Sequence, residues 1–173
     1  MSSVSRIISA ELDGISAEPV YVEADVQVGL RSFSIVGLAD KAVSEARERV
    51  RAALIASGLA LPAKRITINL APADLPKEGS HYDLPIALGL MAAIGAVPSD
   101  AAEGLMVVGE LGLDGSLAPV SGVLPAAVAA NAREQGLVCP AACGAEAAWA
   151  SPEMQIVAPR SLLQLVNHLR GTQ

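Results

Sequence analysis

The chain has 173 residues, of which 52% are apolar and only 17% are charged, and its formal net charge at pH 7 is −6. This length suffices for one domain with a sizeable core, and the negative total gives no general attraction to polyanions, so any contact with nucleic acid has to be local. Aromatic residues make up 2% of the chain, which predicts a core of alanine, valine, isoleucine and leucine.

The apolar stretches do not fit an exported or membrane-spanning protein. Glu11 and Asp13 interrupt the apolar residues near the N-terminus, which argues against a signal peptide. The longest apolar run, residues 84–97, is shorter than the roughly 20 residues that cross a bilayer. We therefore expect a cytoplasmic location, no membrane partner, and two free thiols at Cys139 and Cys143.

Alternating apolar and polar residues predict three strands in the N-terminal part. They are "SRIISAEL", "PVYVEADVQV" and "SFSIVGL", and we expect the third to be the hairpin partner of the second. One face of the second strand should carry Val20, Val22, Ala24, Val26 and Val28. A helix is then predicted from Asp40 to about Ser57, with Asp40 as its N-cap and Gly58 at its end.

The rest of the chain alternates strands and helices. The strand "RITINLA" precedes a polar loop and a helix from Leu84, for which Asp83 is the predicted cap. Two strands joined at Asp114-Gly115 come next. They are followed by a helix at 124–135, a strand "LVCPAA", a helix near 145–150, a strand "QIVAP" and a helix at 161–169. This order predicts an α/β fold, as an α+β two-layer sandwich, with residues 1–170 as one domain.

The loop "APADLPKEGSHYDL" contains the residues that are the strongest candidates for catalysis. Ser80, His81 and Asp83 are the residue types of a catalytic triad, but neighbours on one short loop cannot easily meet as a relay. The alternative is structural: Gly79 and Ser80 turn the chain, Asp83 caps the helix, and Lys77 and Glu78 lie in water.

No Gly-Lys pair forms a phosphate-binding loop, and the scattered Cys and His residues lack metal-site spacing, so we expect no cofactor or metal in this chain.

Longer motifs indicate a family. The runs "RERVRAAL", "RITINLAPADLPKEGSHYDLPIAL", "VVGELGLDGSLAPVSGVLPAA" and "HLRG" resemble the N-terminal domain of Mg-chelatase-like ATPases of the YifB/ComM type, which are associated with bacterial competence. The resemblance covers nearly the whole chain. It implies a following AAA+ module that binds ATP and Mg²⁺, a hexameric full-length protein, and residues 171–173 as the start of a linker to that module.

The same domain resembles the protease domain of Lon, with the fold named for the second domain of ribosomal protein S five. Where Lon-type proteases carry their serine this chain has His81, and where they carry their lysine it has Leu124. Shifting the frame by one residue offers Ser80, but no lysine follows the loop to serve as its base. The resemblance therefore implies the fold of Lon without its catalytic residues.

A local basic feature lies around the first helix. Residues 40–65 contain Lys41, Arg47, Arg49, Arg51, Lys64 and Arg65 against three acidic residues. Arg47 and Arg51 share one side of the helix and could face phosphates, while the alternative is an ordinary solvated surface with Glu45 paired to Arg49.

These observations support three hypotheses. The first is a non-catalytic accessory domain that contacts its own AAA+ module, neighbouring subunits or DNA in transformation, recombination and branch migration. The second is a residual Lon-like serine hydrolase, and the third is a direct DNA-binding module using helix 40–57. The candidate interaction residues are Lys77, Glu78, Ser80, His81, Arg47, Arg49 and Arg51, and we expect Lys77 and His81 to be exposed on the loop.

Overall fold

The strands of the protein were identified in a computed structural model, which describes residues 3–171. They are β1 (Ser3–Asp13), β2 (Ser16–Gln27), β3 (Ser32–Val36), β4 (Arg65–Ala71), β5 (Leu105–Val107), β6 (Glu110–Leu111), β7 (Leu117–Ala118), β8 (Gly136–Val138) and β9 (Ile156–Val157). Seven strands form one sheet in the order β3-β4-β2-β1-β5-β8-β9, and β6 and β7 form a separate hairpin. β2 runs antiparallel to both of its neighbours, and the other neighbouring pairs are parallel.

The helices lie on both faces of this sheet. They are α1 (Lys41–Ser44), α2 (Ala46–Ala56), α3 (Asp83–Ala93), α4 (Val123–Ala132), α5 (Gly144–Ala147) and α6 (Leu162–Leu169). α1, α2, α3 and α6 bury their apolar residues in one cluster on one face, whereas α4 and α5 contribute to a second cluster on the other. Every residue of α3 is buried, because it packs on β1 and β2 and is also covered by α2.

The sheet register explains which side chains enter the larger core. Ala24 faces Ile68 and Val26 faces Ile66 across β2 and β4, so these apolar side chains lie on the face that α3 covers. The alternation of apolar residues in "RITINLA" is thus confirmed as an inward face. Val28 is the exception, since β2 ends at Gln27 and the side chain of Val28 is 76% exposed.

The α/β sandwich is confirmed, although helices cover both faces of the sheet instead of forming the two layers predicted, and one predicted strand pairing is wrong. β3 does not form a hairpin with β2; it pairs in parallel with β4 instead. Both edges of β2 are already occupied, by β1 along its length and by β4. α1 and α2 supply the crossover that a parallel β3–β4 pair requires, and the local alternation of residues carries no information about this choice of partner.

Other expectations hold with changed boundaries. The helix predicted at 40–57 is two helices divided at Glu45. Asp40 is its N-cap as predicted, because the backbone N–H of Val43 donates to Asp40 Oδ1 at 2.8 Å. The hairpin around Asp114-Gly115 is present as β6–β7, while β5 joins the main sheet. Cys139 and Cys143 are both buried and free, and burial raises the pKa of the Cys139 thiol to about 12.

Two further observations concern the chain as a whole. Within residues 3–171, no helix has the length and apolar character needed to cross a bilayer. The assignment of residues 1–170 to one domain stays a prediction. Of the predicted linker, residues 172 and 173 lie outside the described part of the chain.

Candidate functional site

The polar loop between β4 and α3 is attached by its backbone to the segment before α1. Lys77 donates its N–H to Leu38 O at 2.9 Å, and Asp40 donates to Lys77 O at 3.0 Å. Gly37 makes this close approach feasible, since its φ is 112° and a Cβ there would lie 2.3 Å from Leu70 O. Only glycine fits this position. The loop is therefore held at its centre rather than projecting into solvent.

Lys77 is buried, which contradicts its predicted position in water. Its side chain is fully enclosed, and Nζ donates to Gly37 O at 2.6 Å and to Pro72 O. These carbonyls replace water as partners of the ammonium group, which is what makes the burial of a lysine tolerable. Burial lowers the pKa of Lys77, and the nearby charges of Asp74 and Glu11 oppose that change. The amine therefore links two parts of the backbone.

A second buried group centres on Glu11, in β1. Tyr82 donates its hydroxyl to Glu11 Oε1 at 2.6 Å, and the backbone N–H of Glu78 donates to the same oxygen at 3.1 Å. Burial raises the pKa of Glu11, while both hydrogen bonds oppose the rise. Burial, followed by the hydrogen bond to Glu11, raises the pKa of Tyr82. The side chain of Glu78 itself is exposed, as predicted.

His81 is also buried, with 5% of its surface exposed, so its expected exposure is wrong. Its Nε2 lies 2.7 Å from Ala10 O, and because a carbonyl only accepts hydrogen bonds, Nε2 carries the proton. Burial lowers the pKa of His81, and the hydrogen bond to Ala10 opposes this effect. A neutral imidazole in this position fastens the loop to β1.

Asp83 does not cap α3; it forms a buried ion pair. Arg49 reaches it from α2 with two hydrogen bonds, Nε to Oδ2 at 2.6 Å and Nη2 to Oδ1 at 3.0 Å, and Leu111 N donates to Oδ2 at 3.0 Å. Asp83 is fully buried. The hydrogen bond to Asp83 raises the pKa of Arg49. The pair connects α2, α3 and the β6–β7 hairpin, and it replaces the predicted Glu45–Arg49 pair.

The three triad-type residues therefore do not form a relay. Ser80 is half-buried and its hydroxyl has no hydrogen bond to any described residue, whereas a serine nucleophile needs a base within hydrogen-bond reach. His81 and Asp83 are each committed to other groups. Nor do three metal-ligating side chains come together anywhere in residues 3–171.

The predicted basic set divides in two. Arg49 points inward to Asp83, while Arg47 is exposed and Arg51 is partly exposed. Arg47 donates to Ser44 O at 3.3 Å and Phe33 O at 3.5 Å. Arg51 lies 3.6 Å from Glu48 in a surface pair, a type of contact that contributes little to stability.

Sequence reasoning missed Glu11 and Tyr82 as members of the buried network. The signal for Glu11 was present, since it follows Ile7 and Ser9 at every second position of β1 and all three are buried. An acidic residue at such an inward position requires a buried partner. The identity of that partner, 71 residues away, follows only from the fold.

The buried imidazole gives a testable pH dependence. Unfolded His81 takes up a proton below about pH 6.5, its ordinary pKa, while the folded state resists protonation. The free energy of unfolding should therefore fall as pH decreases from 7.5 to 5.5, and this fall should be smaller in His81→Gln. Urea unfolding at both pH values measures it. The exposed His168→Gln variant is the control, and an unchanged pH dependence in His81→Gln would contradict this assignment.

Together these features define a class of protein: an α/β domain in which the loop side chains that could act as acids, bases or ligands instead form hydrogen bonds and an ion pair inside the fold. The family described as Subunit ChlI of Mg-chelatase matches residues 22–143. The competence protein ComM of Haemophilus influenzae is 40% identical over 171 residues, covering 99% of this chain and 33% of ComM. YifB of Escherichia coli is 50% identical over 128 residues, covering 74% of this chain and 25% of YifB.

The chain belongs to the Mg-chelatase ChlI-like family of YifB and ComM, as the sequence motifs indicated. A protein of Mycobacterium bovis, Mb2921c, is 38% identical over 170 residues, which are 98% of this chain and 34% of that protein. The chain thus spans about a third or less of the length of these relatives.

Proposed function

We propose that this chain is a non-catalytic accessory domain of a Mg-chelatase-like AAA+ ATPase. The observation that carries the proposal is the commitment of Lys77, His81 and Asp83 to structural partners, which leaves Ser80 without a base. A domain with this arrangement acts by contact with other molecules. We assign ATP and Mg²⁺ chemistry to the part of such proteins outside the present chain.

The full-length protein, in this proposal, is a cytoplasmic hexamer that handles DNA in natural transformation and recombination, including branch migration. Support comes from the 40% identity with a relative named as a competence protein. The domain contacts its own ATPase module and neighbouring subunits. Glu78 is exposed and therefore accessible for such contacts, unlike the buried Lys77 and His81.

The test compares two alterations of the full-length protein in a naturally transformable host. Deleting residues 1–170 should lower the transformation frequency while the purified protein still hydrolyses ATP. Ser80→Ala alone should transform at the wild-type frequency, because the hydroxyl performs no chemistry. If Ser80→Ala reproduces the effect of the deletion, with both proteins expressed equally, the residual hydrolase is the correct function.

A further inference from the structure

We propose that the edge of the sheet where β3 and β4 begin, beside α2, binds phosphate groups of a single nucleic-acid strand. We call this surface the basic rim, defined by Arg31, Arg47, Arg51, Lys64 and Arg65. The inference deepens the proposed function and rests on it for the source of the ligand. The site itself follows from the charges and cavity at this edge.

A cavity of about 200 Å³ lies at the basic rim. Arg31 and Arg51 line it together with Ser32 and Phe33 from the start of β3, and with Leu61 and Pro62 from the loop after α2. None of the residues that line this cavity is acidic. Two arginines from different parts of the chain therefore border one small space that has a partly apolar wall.

The donors at this cavity are incompletely used. Arg51 Nε has no hydrogen-bond partner among the described residues but is itself closed to solvent, so the part of Arg51 that can meet a ligand is the rest of its guanidinium group, on a side chain that is 40% exposed. Arg31 forms no ion pair with any acidic side chain in residues 3–171. An anionic oxygen in the cavity would accept from both arginines.

The remaining basic residues extend this charge along the edge. Ser32 pairs with Arg65 in the β3–β4 register and donates its N–H to Lys64 O at 3.3 Å, which places both basic residues beside the start of β3. Arg47 lies one helical turn before Arg51, about 6 Å along the axis of α2. The rim thus holds five of the 12 basic residues of the chain.

This concentration of charge stands out in a chain whose net charge is −6. Arg49, the remaining arginine of α2, is neutralised by Asp83 and does not contribute. Glu48 is the acidic residue paired at the rim, and 75% of its side chain is exposed. Basic residues gathered in this way attract a polyanion locally, and a row of phosphates complements a row of guanidinium groups.

Phe33 favours a single strand over a duplex. Its side chain packs against the larger core but stays half-exposed where it lines the cavity, and its carbonyl oxygen accepts from Arg47 at 3.5 Å. An aromatic ring next to arginines is the combination on which unpaired bases stack while the backbone phosphates are neutralised. Bases within a duplex are already stacked on one another and cannot reach such a wall.

Fluorescence anisotropy with a labelled 20-mer of oligothymidylate, titrated over a range of salt concentrations, tests the proposal. Relative to wild type, Arg31→Gln combined with Arg51→Gln should bind at least tenfold more weakly at low salt. The slope of log K against log salt should become shallower by about 1.4, for two phosphate contacts. Equal melting temperatures will show that the variant is folded, since both side chains lie at the surface.

Arg160→Gln is the control for the loss of one arginine charge, because Arg160 is an exposed residue after β9, at the opposite edge of the sheet. It should bind as wild type does. Binding of the double variant within twofold of wild type, an equal loss in Arg160→Gln, or tighter binding of a duplex of the same length would overturn the proposal. Each of these results leaves the non-catalytic role intact, whereas a Ser80→Ala defect in transformation would overturn that role and leave the basic rim unaffected.

Discussion

Replacing Arg49 with leucine is expected to lower the free energy of unfolding by about 3–5 kcal/mol. The change leaves the carboxylate of Asp83 fully buried with only the N–H of Leu111 as a partner. A buried charge that has lost its counter-ion is among the few defects that cost this much. Urea unfolding followed by circular dichroism measures the effect.

Arg47→Leu is the matched control, since it is the same substitution on the same helix at an exposed position. It should change stability by no more than about 0.5 kcal/mol. Replacing Arg49 and Asp83 together with leucine should cost less than Arg49→Leu alone, because the orphaned charge is gone. Equal effects of Arg49→Leu and Arg47→Leu would show that the ion pair does not stabilise this fold.

Gly37→Ala is expected to destabilise the protein by about 3 kcal/mol or more. The backbone at Gly37 has φ 112°, and the added Cβ would lie 2.3 Å from the carbonyl oxygen of Leu70. β4 would have to shift, and the carbonyl oxygen of Gly37 would then move away from Lys77 Nζ. The melting temperature should fall, and proteolysis between β4 and α3 should accelerate.

Gly58→Ala separates the two causes of that loss. Gly58 also has a positive φ, of 84°, but no atom lies within 4 Å of the position of an added Cβ. Its substitution should therefore cost only the backbone term of roughly 1–2 kcal/mol. If both alanine variants lose the same stability, the close contact between Gly37 and Leu70 is not a constraint on this fold.

The sequence predicts the strands and helices well because their patterns are local. Alternation in β2 and β4 identifies the buried face, and the capping oxygen of Asp40 is where a helix start requires it. Pairing between strands is not local. β3 pairs with β4 and not with β2 because of where α1 and α2 pack. No pattern within "SFSIVGL" contains that information.

The loop shows the same limit at the level of side chains. A lysine, a histidine and an aspartate on either side of a glycine, just ahead of a helix, are typical of a solvated loop with a cap. Each is instead buried, because a carbonyl or an arginine from a distant part of the chain lies within hydrogen-bond reach. Asp83 and Arg49 are 34 residues apart, so only the packing of α2 against α3 brings them together.

The central claim is that the polar groups of the loop maintain the fold and leave Ser80 unactivated. The most direct measurement is the intact mass of the folded protein after exposure to a fluorophosphonate, which labels activated serines. We predict no adduct on wild type beyond that seen on Ser80→Ala. A stoichiometric mass increase on wild type that Ser80→Ala abolishes would show a working nucleophile and contradict this account.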